Sequence, residues 1–288
     1  MADTPPPAPA TPQVQPDSPK RSEAGETVRF LLKLALFVFV IRSFLFAPYS
    51  IPSESMLPRL LIGDYLFVTK WNYGYSRWSL PWGLPLIPGR IFASTPTRGD
   101  VVVFRSPDPM PGDTDPMHDD HDVIKRVIGL PGDTVQVRGG QVILNGKPIP
   151  KARVADFTLP LSPNFDAEKC GPDHLDVVNG TQICRYRRYR ETLPGGRTYD
   201  VLDQGDFPDR DDTDVYTVPA GNVFLMGDNR DDSADSRFPA PSGMGYIPME
   251  RLEGKAAITF FSTDGSASWL LPWTWFSAAR PARIGEGF

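Results

Sequence analysis

The stretch TVQVRGGQVILNGKPI, residues 134–149, decides the fold class. Apolar and polar residues alternate along it with the two-residue period of a half-buried strand, and the alternation breaks at Gly139-Gly140 and again at Asn145-Gly146. Both dipeptides suit two-residue hairpin turns, so the stretch reads as a β-meander. Runs of strand composition lie on either side: LLIGDYLFVTK at 60–70, DVVVF at 100–104 after the turn residues Arg98-Gly99, then residues 215–218, residues 222–226 and AAITFF at 256–261. Short β runs punctuated by Gly and Pro predict a mostly β, antiparallel protein. The 288 residues, 40% of them hydrophobic, suffice for one sizeable core with a smaller inserted part. Between 151 and 214 the composition turns charged, Gly- and Pro-rich and weakly periodic, which reads as an inserted subdomain dividing a β domain into residues 49–150 and 215–268.

Residues 1–25, rich in Pro, Ala, Ser and Thr, cannot bury enough surface to offset their ordering entropy and read as a disordered tail. Then comes FLLKLALFVFVIRSFLFAP at 30–48, about the length that crosses a bilayer core of about 30 Å, so residues 26–48 are expected to form one transmembrane helix. A cleavable signal peptide fits less well, since Pro48 directly follows Ala47, and a buried core helix is the third reading. Lys20, Arg21, Arg29 and Lys33 put the tail on the cytoplasmic side and the rest of the chain outside. An oxidising compartment favours a disulfide between Cys170 and Cys184 over two free thiols. The formal net charge of -5 and a pI near 5.3 argue against nucleic acid as a partner. His118 and His121 in DTDPMHDDHD have a metal-ligand spacing but no third ligand, so neither metal nor other cofactor is expected. The Trp-rich end, 269–288, is too short and proline-broken to span and either rests on the bilayer or packs on the core.

The chemistry points to Ile51-Pro52-Ser53-Glu54-Ser55-Met56-Leu57-Pro58, where prolines bar regular helix and hold two serines in an irregular turn. A serine hydroxyl needs a base to become a nucleophile. Of the three histidines, His118 and His121 fall in what reads as a solvated acidic loop and His174 has no evident partner, but Lys125 interrupts the apolar strand VIKRVIG at 123–129. Burial there would favour a neutral amine able to accept a proton, while the bland alternative is a lysine whose head reaches water. A third stretch, MGDNRDDSADSR at 226–237, follows an apolar strand with a dense polar turn.

Pro-Ser-x-Ser-Met after an N-terminal apolar run, Arg-Gly-Asp-Val-Val-Val-Phe, Ile-Lys-Arg-Val-Ile-Gly-Leu-Pro-Gly-Asp and Gly-Asp-Asn-Arg-x-x-Ser-x-Asp-Ser-Arg occur in this order. Together they resemble the bacterial type I signal peptidases, membrane-anchored Ser-Lys proteases that remove signal peptides from exported preproteins. The resemblance covers most of residues 49–261, apart from the excursion. It implies an antiparallel β catalytic domain with an inserted subdomain after one transmembrane helix, in a single-pass protein of the inner membrane with its catalytic domain on the outer face. It makes Ser55 the nucleophile and Lys125 the general base. It gives the oxyanion hole to the Ser53 hydroxyl and the Ser55 N–H, and orientation of the lysine to Ser233. Walls selecting small residues at the first and third positions before the cut would come from Tyr49, Ile51, Pro52, Met56, Leu60 and Ile124. Asp228, Arg230, Asp235 and Arg237 would hold the polar turn rigid. Partners on this reading are exported preproteins and the lipid bilayer.

Departures from the resemblance are Glu54, where the family often has Gly, the two prolines of Phe238-Pro239-Ala240-Pro241, and the acidic loop before Ile124. Two other functions compete: a Ser-Lys self-cleaving regulator of similar β fold, and a membrane-tethered β domain that binds without catalysis.

Overall fold

A computed structural model describes residues 23–106, 121–239, 242–268 and 270–288 of the protein. The chain divides into two units, Met1–Phe39 and Val40–Phe288. Helix α1 (Glu23–Val40) carries the apolar run, with Phe30, Leu31, Leu32, Leu36 and Phe37 exposed. The expected single helix over 26–48 is not what forms. The α-helix ends at Val40, a π-helix covers Ile41–Leu45, and Phe46–Ser50 is already strand β1. Pro48 has no N–H to give a helix and is tolerated at the edge of a sheet, which is where β1 lies. Among the described residues no helix is long and apolar enough to cross a membrane.

The second unit is mostly β. Its largest sheet has seven strands in the order β1-β2-β19-β5-β6-β17-β18, where β2 is Asp64–Thr69, β5 Val101–Arg105, β6 Asp122–Gly129, β17 Asn222–Met226, β18 Ile247–Pro248 and β19 Leu252–Ser262. Every pairing in it is antiparallel. Strand β6 is buried from Val123 onward because apolar clusters cover both of its faces, which is why it reads as a continuous apolar run rather than an alternating one. Strand β19 is long enough to serve β2 and β5 together, and register shifts along it bend it across both. At Gly254 a Cβ would stand 2.3 Å from the Thr69 carbonyl oxygen, so the close approach of β19 to β2 requires glycine there.

The stretch at 134–149 forms β7 (Thr134–Arg138), β8 (Gln141–Leu144) and β9 (Lys147–Pro148), turning at Gly139-Gly140 and Asn145-Gly146 with positive φ at all four residues. These pair with β16 (Tyr216–Thr217) in a four-stranded sheet whose inward residues Val135, Val137, Val142 and Leu144 meet Phe224 and Met226 of β17. Residues 151–202 build two three-stranded sheets. One holds β10 (Lys151–Arg153), β14 (Arg188–Thr192) and β15 (Thr198–Leu202). The other holds β11 (Phe157–Pro160), β13 (Thr181–Tyr186) and β12 (Leu175–Val178), tied by a Cys170–Cys184 disulfide beside helix α2 (Ala167–Cys170). A ribbon of β3 (Tyr75–Ser76) and β4 (Arg90–Ile91), with the short helices α3 (Pro208–Asp211) and α4 (Thr274–Ala278), completes the unit.

Candidate active site

The turn between β1 and β2 presents the serines. Its two ends are closed by backbone bonds between Ile51 and its partners Asp64 and Gly63, and Met56 and Leu60 fill the core beneath it. From the other side, the polar turn after β17 grips it: the Asn229 N–H donates to the Ser55 carbonyl at 3.1 Å, and the Asn229 side-chain amide donates to the Glu54 carbonyl at 3.3 Å. Gly227 permits this approach, since a Cβ there would lie 2.5 Å from the Ser55 carbonyl oxygen and 2.3 Å from Ser233 Oγ. The Ser55 hydroxyl is thereby fixed relative to β6, and Lys125 Nζ donates to Ser55 Oγ at 2.6 Å. Ser53 Oγ lies 3.3 Å from Ser55 Oγ. The Ser55 N–H has no protein acceptor among the described residues and remains available to a ligand.

Lys125 is 3% exposed, and burial pulls its pKa down to about 8 against the opposing pull of Asp235, Asp228 and Asp232. Two of those carboxylates are already engaged. Arg126 makes a bidentate pair with Asp228, at 2.7 and 2.6 Å, and Arg237 Nε donates to Asp235 Oδ1 at 2.9 Å. Their negative charge is therefore largely compensated where the amine feels it, and desolvation dominates. Asp232 forms no such fork with a guanidinium among the described residues; burial first, then the neighbouring Glu54 carboxylate, raises its pKa to about 6.

Beside the two reactive groups runs a cleft of ≈ 420 Å³ lined by Tyr49, Ile51, Pro52 and Ile124 together with Ser53, Ser55 and Lys125. Of the expected walls, Met56 and Leu60 are not on its surface. They are 1% and 0% exposed and pack with Leu66, Val68 and Val101 behind it, because their helical-turn positions point away from the serine hydroxyls. Tyr49 keeps its ring in the cleft while its hydroxyl donates to Glu253 at 2.5 Å and accepts from the buried Lys70 at 3.3 Å. The expected bond from Ser233 to Lys125 is not made: Ser233 Oγ is buried against Gly227 and has no hydrogen-bond partner among the described residues. In the polar turn Asp228, Arg230, Asp235 and Arg237 are all buried. Arg230 reaches out of that turn to β14, where it forms a bidentate pair with Glu191, at 2.8 and 2.5 Å.

Sequence reading passed over several of these groups. Asn229 and Asp232 lay inside a quoted motif without a role, whereas Glu191 is 39 residues from Arg230 and carries no local signal. His118 and the rest of 107–120 lie outside the described residues, and no group of metal-binding side chains is present among the described ones. Ala240 and Pro241 likewise lie outside them, as does Trp269.

Residues 24–261 match the family described as Signal peptidase, peptidase S26. A signal peptidase I of Rickettsia akari (strain Hartford) is 37% identical over 242 residues, covering 81% of this chain and 77% of its own. Another, of Rickettsia massiliae (strain Mtu5), is 36% identical over 255 residues, covering 84% and 80%. The crystal structure of a signal peptidase I from Enterococcus faecalis V583 aligns over 56% of this chain and 97% of its own, at 23% identity and a TM-score of 0.27.

Proposed function

The chain belongs to the signal peptidase S26 family and is an endopeptidase that removes signal peptides, and on that premise we propose that Ser55 and Lys125 make the cut. The observation that carries this reading is the 2.6 Å contact between Lys125 Nζ and Ser55 Oγ in a site where the amine is driven toward neutrality. With Lys125 neutral, its lone pair takes the Ser55 proton as the oxygen attacks the scissile carbonyl. The developing oxyanion is received by the Ser55 N–H and the Ser53 hydroxyl. The Lys125 ammonium then returns the proton to the departing amine, and water, activated by the same amine, releases the acyl group from Ser55. Ser233, whose hydroxyl lies beside Gly227 with no hydrogen-bond partner among the described residues, is available to the ammonium once it forms.

The substrate lies extended along β6. Strand β17 covers β6 only from Arg126 onward, so Asp122 to Lys125 offer an open edge to which an incoming backbone adds as a strand. Tyr49, Ile51, Pro52 and Ile124 then limit the side chains before the cut to small ones, as in Ala-x-Ala. The exposed apolar side chains of α1 enter the lipid bilayer of the inner membrane, the tail before them stays cytoplasmic, and the cut is made at the outer face on exported preproteins. The same proposal takes residues 49–150 and 215–268 as one catalytic domain and 151–214 as its insert.

Incubating the detergent-solubilised protein with a preprotein and sequencing the new N-terminus tests it. Cleavage after a small-x-small site, abolished in folded Ser55→Ala and Lys125→Ala variants, is expected. Turnover retained in Lys125→Ala would place the base elsewhere.

A further inference from the structure

On the far side of the serine turn lies a second cavity, of ≈ 480 Å³, which shares no lining residue with the cleft. Six arginines line it: Arg59, Arg126, Arg188, Arg190, Arg197 and Arg283, against two acids, Asp200 and Glu286. Their existing partners account for only part of this charge. Arg126 is taken by Asp228, and Arg283 by Asp64 and Glu286. Arg188 and Arg190 divide a single carboxylate, Asp200, at 3.5 and 2.8 Å. Arg197 uses one nitrogen on Asp100, and that acid also takes Lys255.

Arg59 has no carboxylate partner among the described residues. It donates to the Gly287 carbonyl and lies 5.0 Å over the Phe288 ring. Burial first holds its pKa below the usual arginine range; Glu286 and Asp228 pull it up and Arg126 and Arg283 press it down, and the balance stays below, so an added negative charge beside this guanidinium would be favoured.

We propose that this cavity is a binding site for a phosphate-class anion, held by Arg59 with Arg188, Arg190 and Arg197. Guanidinium forks match the oxygens of a tetrahedral anion in pairs, and the partly exposed Arg190 and Arg197 leave an open approach. The cavity exceeds what one phosphate fills, so both a free phosphate and a phospholipid headgroup fit it.

The test is thermal unfolding of the detergent-solubilised full chain in inorganic phosphate against chloride at equal ionic strength. At phosphate ten times its dissociation constant, a rise of about 3–6 °C is expected in phosphate alone. Arg59→Gln together with Arg190→Gln should remove that rise while preprotein cleavage continues. Arg190→Gln alone, at an exposed position, serves if the double variant folds poorly and should at least halve the rise. A second arm adds phosphatidylglycerol or phosphatidylcholine to the micelles. Stabilisation by phosphatidylglycerol that phosphate competes away identifies the headgroup as ligand, and stabilisation by inorganic phosphate alone identifies the soluble anion. Equal melting in phosphate and chloride with no response to phosphatidylglycerol, or a full response in the arginine variants, overturns the proposal.

Discussion

A lysine ammonium enclosed in apolar surroundings loses its hydration, and Lys125, pulled down to about 8, carries that loss in the folded state only. In the unfolded chain its pKa returns to the ordinary 10.5, so the unfolded state binds more protons between about 8 and 10.5 and stability rises with pH across that window. Below about 8 the full penalty stands, on the order of 3 kcal/mol. Lys125→Met, of similar volume and no charge, is therefore expected to abolish cleavage yet raise stability at pH 7 by about 1–3 kcal/mol, read from denaturant unfolding. The rate of the unaltered enzyme should climb with pH through about 8, as the amine loses its proton. Asp232 raises the Lys125 pKa, so Asp232→Asn should move that limb of the pH–rate profile to lower pH; an unmoved limb would mean that the pair does not communicate. The burial of Lys125 was only half legible in the sequence, because a lysine beside Arg126 in an otherwise apolar strand can equally carry its head to water. The Asp232–Glu54 pairing was not legible, since 178 residues separate the two.

The hairpins at 134–149 were legible for the opposite reason: turn chemistry and alternation are local, and both turns fall at the expected dipeptides. The apolar run misled because hydropathy alone cannot tell a helix from a helix that hands over to an edge strand at Pro48. Long-range pairing is invisible at that level, and Glu191 is the sharpest case. It is fully buried, forks onto Arg230 and accepts from the Tyr199 hydroxyl at 2.8 Å, so β14 helps to hold the turn whose Asn229 grips Ser55. Removing one partner of a buried pair strands the other, and Glu191→Ala should cost about 3–5 kcal/mol in unfolding measurements and slow cleavage as well. The Cys170–Cys184 disulfide, expected from compartment and found, closes a separation of 14 residues next to Leu57 of the serine turn. Reducing it should lower stability by about 3 kcal/mol, checked by thermal unfolding with and without reductant.

The segment after β19 that leads into α4 leaves large apolar side chains in water: Leu270, Trp273 and Phe276, the last 86% exposed. Of the two readings for this end of the chain, packing on the core holds for Ala278 and, in part, for Phe288, with Arg280 and Arg283 tied to Asp64, but not for these three. Trp275 of α4 and the cleft residues Ile51 and Pro52 line a common hollow, so lipid contact there would lie beside the site. Trp273→Ser with Phe276→Ser is expected to weaken vesicle-dependent processing about tenfold or more while sparing a short soluble peptide, measured by comparing both substrates. In β6 Lys125 and Arg126 are neighbours and so face opposite ways. Slipping that strand by a single position one way would deliver to the serine a guanidinium that never surrenders its proton and leave Val127 opposite Asp228; slipping it the other way would deliver the apolar side chain of Ile124. Such misthreading changes neither composition nor hydropathy, so the Arg126–Asp228 fork acts as the keyway that admits only the productive frame.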